Sequence, residues 1–183
     1  MGIYAHHSQD CISLILGIVT APRLEKLTIG AHKLSIDSQI GDFLRRSKPP
    51  LTHLRISGLT LPEAAMINML REVPSLQFFY ADSATMSNDI LMALTMQTRS
   101  ALHENQDISV FEGLCAGLKR LELDIDGKFT GSAIVTMLLS RWRARDRTLK
   151  EVYLKRVSTS SATHVLADPA ISQCIDGGLH LFI

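Results

Sequence analysis

Residues 118–123 read LKRLEL and residues 51–56 read LTHLRI. The first spells L-x-x-L-x-L and the second the same pattern with Ile in the last place, and the back half of each alternates apolar and polar residues at the two-residue period of a strand with one buried face. The same spacing recurs at Leu24/Leu27/Ile29, Leu76/Phe79/Ala81 and Leu149/Val152/Leu154. A shorter alternation, Leu179/Leu181/Ile183, closes the chain. The leading leucines stand at 24, 51, 76, 118 and 149, so the intervals are 27, 25, 42 and 31 residues.

After each strand pattern the apolar period changes to that of a helix. Ile40, Phe43 and Leu44 fall at i, i+3 and i+4, and Met66, Ile67, Met69, Leu70 and Val73 form a similar stripe behind Pro62 and Glu63, which suit a first turn. Ser87 and Asp89 precede Ile90, Leu91 and Leu94; Thr130 precedes Ile134, Met137, Leu138 and Trp142; Ser160 or Ser161 precedes Val165 and Leu166. Ser, Thr and Asp are good helix caps. Pro22, Pro49-Pro50, Pro74 and Gly117 break the chain ahead of new strands. Each unit therefore reads strand, turn, helix, turn, and such an alternation implies parallel strands.

Two intervals fall within the ~20–29 residues of a leucine-rich repeat, one slightly exceeds it, and one carries an insertion. The expected fold is α/β: one irregular leucine-rich-repeat solenoid over 1–183, with about five repeats and a closing strand, parallel strands on the concave face and helices on the convex face. Residues 97–113, QTRSALHENQDISVFEG, are polar and weakly periodic and read as an inserted surface loop with room for a short helix. Regular repeats carry Asn or Cys at the ninth position; here His32, Leu59, Ala84, Asp126 and Val157 stand there. The turn backbone must then be satisfied by caps, other turns or water.

Side chains alternate along a strand, so residues between the core leucines face away from the helices. The third positions are Lys26, His53, Phe78, Arg120 and Glu151, and the fifth are Thr28, Arg55, Tyr80, Glu122 and Tyr153. His180 and Phe182 extend the row. Tyr and Arg are frequent interface anchors, so these ten positions form the candidate surface for a protein partner.

Other chemistry is weaker. Leu121–Thr130, LELDIDGKFT, resembles the first motif of haloacid-dehalogenase-type phosphatases, with Asp124 as nucleophile and Asp126 as acid/base. Lys128 replaces the Thr of that motif, and Asp168 and Asp176 are isolated downstream; a strand turning through Asp126-Gly127 explains the same residues. His6, His7, Asp10 and Cys11 are metal-capable but have no second cluster at ligand spacing. Cys174 and His180 lack an orienting third group. Arg141, Arg143, Arg145 and Arg147 alternate through RWRARDR and read as a solvated face past a helix end. No cofactor or metal is expected.

Composition agrees with a folded globular domain. Apolar residues make up 46% and charged residues 20%, with a net charge of +1, so nothing calls for nucleic acid or an acidic membrane. Three distant cysteines, Cys11, Cys115 and Cys174, favour a reducing compartment, cytoplasmic or nuclear, with each thiol buried as a small apolar group. The apolar run Cys11–Val19 is too short to span a bilayer, which takes about 20 residues.

The chain resembles the leucine-rich-repeat region of F-box proteins from mushroom-forming fungi. The likeness rests on Ala21-Pro22-Arg23-Leu24-Glu25-Lys26-Leu27, on Leu51-Thr52-His53-Leu54-Arg55-Ile56 with Leu70 and Val73-Pro74-Ser75-Leu76, on Leu114-Cys115-Ala116-Gly117-Leu118-Lys119-Arg120-Leu121, and on Gly178-Leu179-His180-Leu181. The resemblance implies repeats that hold a substrate, and a separate F-box that docks on a Skp-type adaptor of a ubiquitin ligase. No F-box is recognisable in this sequence, and polar end units are not evident, so a piece of a longer solenoid and a decoy fragment without function of its own are further expectations.

Overall fold

A computed structural model describes residues 9–34, 39–82, 86–103, 106–124, 129–144 and 147–183, with side chains described outside 9–11, 31–34, 98–103 and 106–111. In chain order the elements are α1 (Gln9–Ile18), β1 (Lys26–Leu34), α2 (Gln39–Ser47), β2 (His53–Leu59), α3 (Glu63–Arg71), β3 (Phe78–Asp82) and α4 (Asn88–Leu94). There follow β4 (Gln97–His103), β5 (Gln106–Glu112), β6 (Arg120–Asp124), α5 (Gly131–Arg143), β7 (Glu151–Lys155), α6 (Thr159–Leu166), α7 (Pro169–Asp176) and β8 (His180–Phe182).

Six strands form one open parallel sheet in the order β1-β2-β3-β6-β7-β8. Its register reproduces the alignment of the L-x-x-L-x-L units: Leu27, Leu54, Phe79, Leu121, Val152 and Leu181 stand side by side. A slip of one residue would turn this row out into solvent, so the hydrophobic pattern itself fixes the register. Consecutive helices touch in sequence order from α1 to α7, and their apolar stripes share one core with the strands, running from Ile12 to Leu179. Phe43, Leu44, Leu54, Leu70, Phe79, Leu91, Leu121, Ile134 and Val152 are all fully buried in it. On β6 and β7 the burial alternates strictly, so the helices cover one face of the sheet.

At the strand entrances the backbone forms a ladder of its own. The Glu25 carbonyl accepts from the N–H groups of Thr52 (2.8 Å) and His53 (3.1 Å). Thr52 does the same for Gln77 and Phe78, Gln77 for Lys119 and Arg120, and Lys119 for Lys150 and Glu151. Among the ninth positions, Leu59 is buried and Val157 packs against the core, while Ala84 and Asp126 lie outside the described residues.

Helix starts are tied down by side chains. Ser87 Oγ accepts from Asp89 N–H, Thr130 Oγ1 from Ala133 N–H, and Asp168 from Ala170 N–H ahead of Pro169. For α6 the cap is Ser158, two or three residues before the serines that the sequence suggested. Pro62 is the cap of α3 and precedes its first turn.

Two segments differ from the sequence reading. Residues 97–113 do not form an irregular loop: β4 and β5 pair antiparallel from Gln97↔Glu112 to His103↔Gln106. The two strands are joined by backbone pairing, which leaves little trace in a weakly periodic sequence. Arg141 is not part of a solvated face. It lies inside α5, 2% exposed, and its guanidinium donates to the carbonyls of Leu94 (2.7 Å), Cys115 (3.1 Å) and Leu114 (2.5 Å). The group thus binds the strand–helix frame on both sides of the β4–β5 insertion. Burial pushes its pKa down to about 10, so it stays cationic at neutral pH.

Candidate functional site on the open sheet face

The face of the sheet opposite the helices carries two rows of side chains. The first crosses the strands as Lys26, His53, Phe78, Arg120, Glu151 and His180; the second as Thr28, Arg55, Tyr80, Glu122, Tyr153 and Phe182. All ten residues expected at the partner surface fall in these rows, aligned by backbone pairing across strands that are distant in sequence. Their exposure is uneven. Lys26 and Arg55 are exposed; Thr28, His53, Phe78, Arg120, Glu122, Glu151 and Tyr153 are half-buried. Tyr80 is only 7% exposed, because the Arg55 guanidinium lies 3.8 Å above its ring. It is therefore a support for Arg55 and not itself an outward contact.

The rows interlock. Arg120 Nε donates to Glu122 at 2.6 Å and its Nη1 meets Glu151 at 3.0 Å. The same guanidinium lies 4.7 Å from the Tyr153 ring centroid and 5.7 Å from that of Phe78, within the range of cation–π attraction. The hydrogen bond to Glu122 is the leading cause that holds the Arg120 pKa above its ordinary value. Tyr153 stacks on Phe182, 4.4 Å between centroids and 5° from parallel, and His53 tilts against Phe78 at 5.8 Å. Burial, and then the nearby Lys26 charge, lower the His53 pKa. The Tyr80 hydroxyl donates a hydrogen bond to Asp82 at 3.1 Å; burial first and Asp82 second raise its pKa.

His53, Arg55, Phe78, Arg120 and Glu122, together with Gln77 and Lys119, line a depression of about 540 Å³. Gln77 and Lys119 were not found from sequence. They occupy the second position of the repeat, just before the strand, where period-2 counting had not yet begun. Their carbonyls belong to the strand-entrance ladder, which sets their side chains beside the third-position row.

Other sequence candidates are dispersed. Asp124 forms an ion pair with Arg156 at 2.6 Å, while its proposed partner Asp126 lies outside the described residues. Cys174 is buried, and that burial raises its pKa, which disfavours the thiolate a nucleophile needs. Cys115 is buried as well, its thiol pushed up to about 11 and pointed at the Leu70 and Val73 carbonyls. His6 and His7 lie outside the described residues, as do the side chains of Asp10 and Cys11. Among the described residues no group of three or more His, Cys, Asp or Glu is placed to hold a metal, and no helix is long and apolar enough to cross a membrane. Arg147 and Lys150 both approach the Trp142 ring, at 5.3 and 5.8 Å, so the arginine-rich run is partly used internally.

Comparison of the chain with protein-family models, with curated proteins and with solved structures finds no significant match.

Proposed function

We propose that the chain is an arc of irregular leucine-rich repeats that binds a protein partner, without catalysis, through the concave face of its parallel sheet. The observation that carries this reading is the alignment of the two rows. Five strands bring His53, Arg55, Phe78, Arg120, Tyr153 and Phe182 together on a face that no helix among the described residues covers. Aromatic and arginine side chains at the centre of such a patch supply large contact area at low conformational cost. The interlocking of Arg120 with Glu122, Glu151 and Tyr153 supports the reading further, because a prearranged surface loses less entropy on binding. The resemblance to F-box-protein repeats would make the captured protein a ubiquitin-ligase substrate.

The test is a substitution series read by partner affinity. Arg55→Ala and Tyr153→Ala should each weaken binding by ~1 kcal/mol or more. Arg71→Ala, on the exposed side of α3, should leave affinity unchanged. Equal losses from both faces would refute the assignment.

A further inference from the structure

Charge around the depression is distributed in one direction. Arg55 and Lys119 are exposed, and among the described residues no carboxylate pairs with either. Lys26 stands in the same row as His53 and adds a third cation nearby. The acids of the face, by contrast, are occupied. Glu122 is held by Arg120 and its side chain is only 13% exposed. Glu151 takes the other side of Arg120, Asp82 accepts from Gly58 N–H and Tyr80, and Asp124 is paired with Arg156. Phe78 supplies a half-buried apolar wall between the cations.

We propose, resting on the open-face reading above, that this depression takes the carboxylate of an Asp or Glu side chain from an acidic peptide segment of the partner. Arg55 and Lys119 are the cationic walls, and Phe78 meets the methylene stem or an apolar neighbour in the segment. Stacking on Tyr80 holds the planar Arg55 fork in place before the ligand arrives, which favours two parallel hydrogen bonds to a carboxylate. The flanking acids Glu151, Asp82 and Asp124 argue against an extended polyanion such as nucleic acid, which needs a continuous run of cations. They suit a single anionic residue within a mixed peptide.

The experiment is selection of a random dodecamer peptide library, built from the ordinary amino acids, against the full chain, followed by fluorescence anisotropy on the recovered peptides. The expected result is enrichment of Asp and Glu beside apolar residues, with Arg55→Glu and Lys119→Glu each weakening binding about fivefold or more. Lys150→Glu makes the same charge change outside the depression and should have little effect; circular dichroism confirms that each variant is folded. Peptides without acidic bias, or an equal loss from Lys150→Glu, overturn the acidic-segment inference while leaving open-face binding standing. Peptides whose affinity depends on Arg71 and not on the sheet rows overturn both. Recovery of no peptide overturns the inference alone, because a folded partner could still use the wider face.

Discussion

Replacing Arg141 is the most demanding test of how this fold is held together. Its guanidinium reaches three carbonyls from two segments, Leu94 at the end of α4 and Leu114 and Cys115 behind the β4–β5 insertion. Arg141→Met keeps most of the side-chain volume and deletes every donor. Each buried carbonyl left unpaired costs ~1–3 kcal/mol, against which the desolvation penalty of the lost cation is recovered. The net expectation is a loss of about 3 kcal/mol for Arg141→Met, and ~3–5 kcal/mol for Arg141→Ala, where a cavity is added. A domain of this kind has ~5–15 kcal/mol in total, so the alanine variant should sit near the edge of folding. Urea unfolding followed by far-ultraviolet circular dichroism at pH 7 reads the change as a shift in midpoint at constant slope. A loss below ~1 kcal/mol for Arg141→Met would refute the reasoning, since water or a shifted backbone would then be satisfying those carbonyls.

Three further outcomes follow from contacts between repeats. The Glu63 carboxylate accepts from Ser87 N–H (2.9 Å), Ser87 Oγ (2.6 Å) and Ile90 N–H (2.8 Å), so one helix start caps the next. Glu63→Ala should cost ~1–2 kcal/mol in urea unfolding, and adding Ser87→Ala should cost less than the sum of the two. A Cβ on Gly131 would come within 2.6–2.8 Å of the His164 side chain, where α5 starts against α6. Gly131→Ala should therefore destabilise by ~1 kcal/mol or more despite its better helix propensity, and His164→Ala in the same background should restore part of the loss, because it removes the ring but keeps the close Cβ; no restoration would remove the ring contact as the cause. His53 has its pKa lowered by burial and then by Lys26, so its folded state resists protonation. Its contribution to stability is complete above the ordinary value of 6.5 and is lost as pH falls through the depressed pKa. Lys26→Gln should move the nuclear-magnetic-resonance titration midpoint of His53 upward, and an unchanged midpoint would contradict the assigned cause.

What the sequence made legible was mostly local. The leucine spacing predicted the strands, and the pairing of Leu27, Leu54, Phe79, Leu121 and Val152 follows from their common position in each unit. Ser87 and Thr130 were recognisable as caps because a hydroxyl before a helical apolar stripe has a local purpose. The parts that escaped are those whose reason lies elsewhere in the chain. Arg141 looks like its neighbours in RWRARDR, and only carbonyls 26 to 47 residues away explain its burial. Helix α7 buries just Ile171 and Cys174, too few positions to show a period, although Asp168-Pro169 marks its start. At the site, alternation correctly sent Phe78, Arg120 and Tyr153 to the open face, but it could not show that Arg55 would cover Tyr80 or that Lys119 would join the depression.

The central claim is that a protein partner meets the sheet and not the helices. A photoreactive phenylalanine placed in turn at Arg55, Tyr153 and Phe182 on the sheet, and at Met92 and Leu166 on the helical side, tests it in the cell of origin. Phe182, Met92 and Leu166 are all more than half exposed, at 52%, 52% and 57%, so reach does not bias the comparison among them. The account predicts a discrete cross-linked species from the sheet positions that the helical positions do not give. The same species from Met92 and Leu166, or from those two alone, would contradict it.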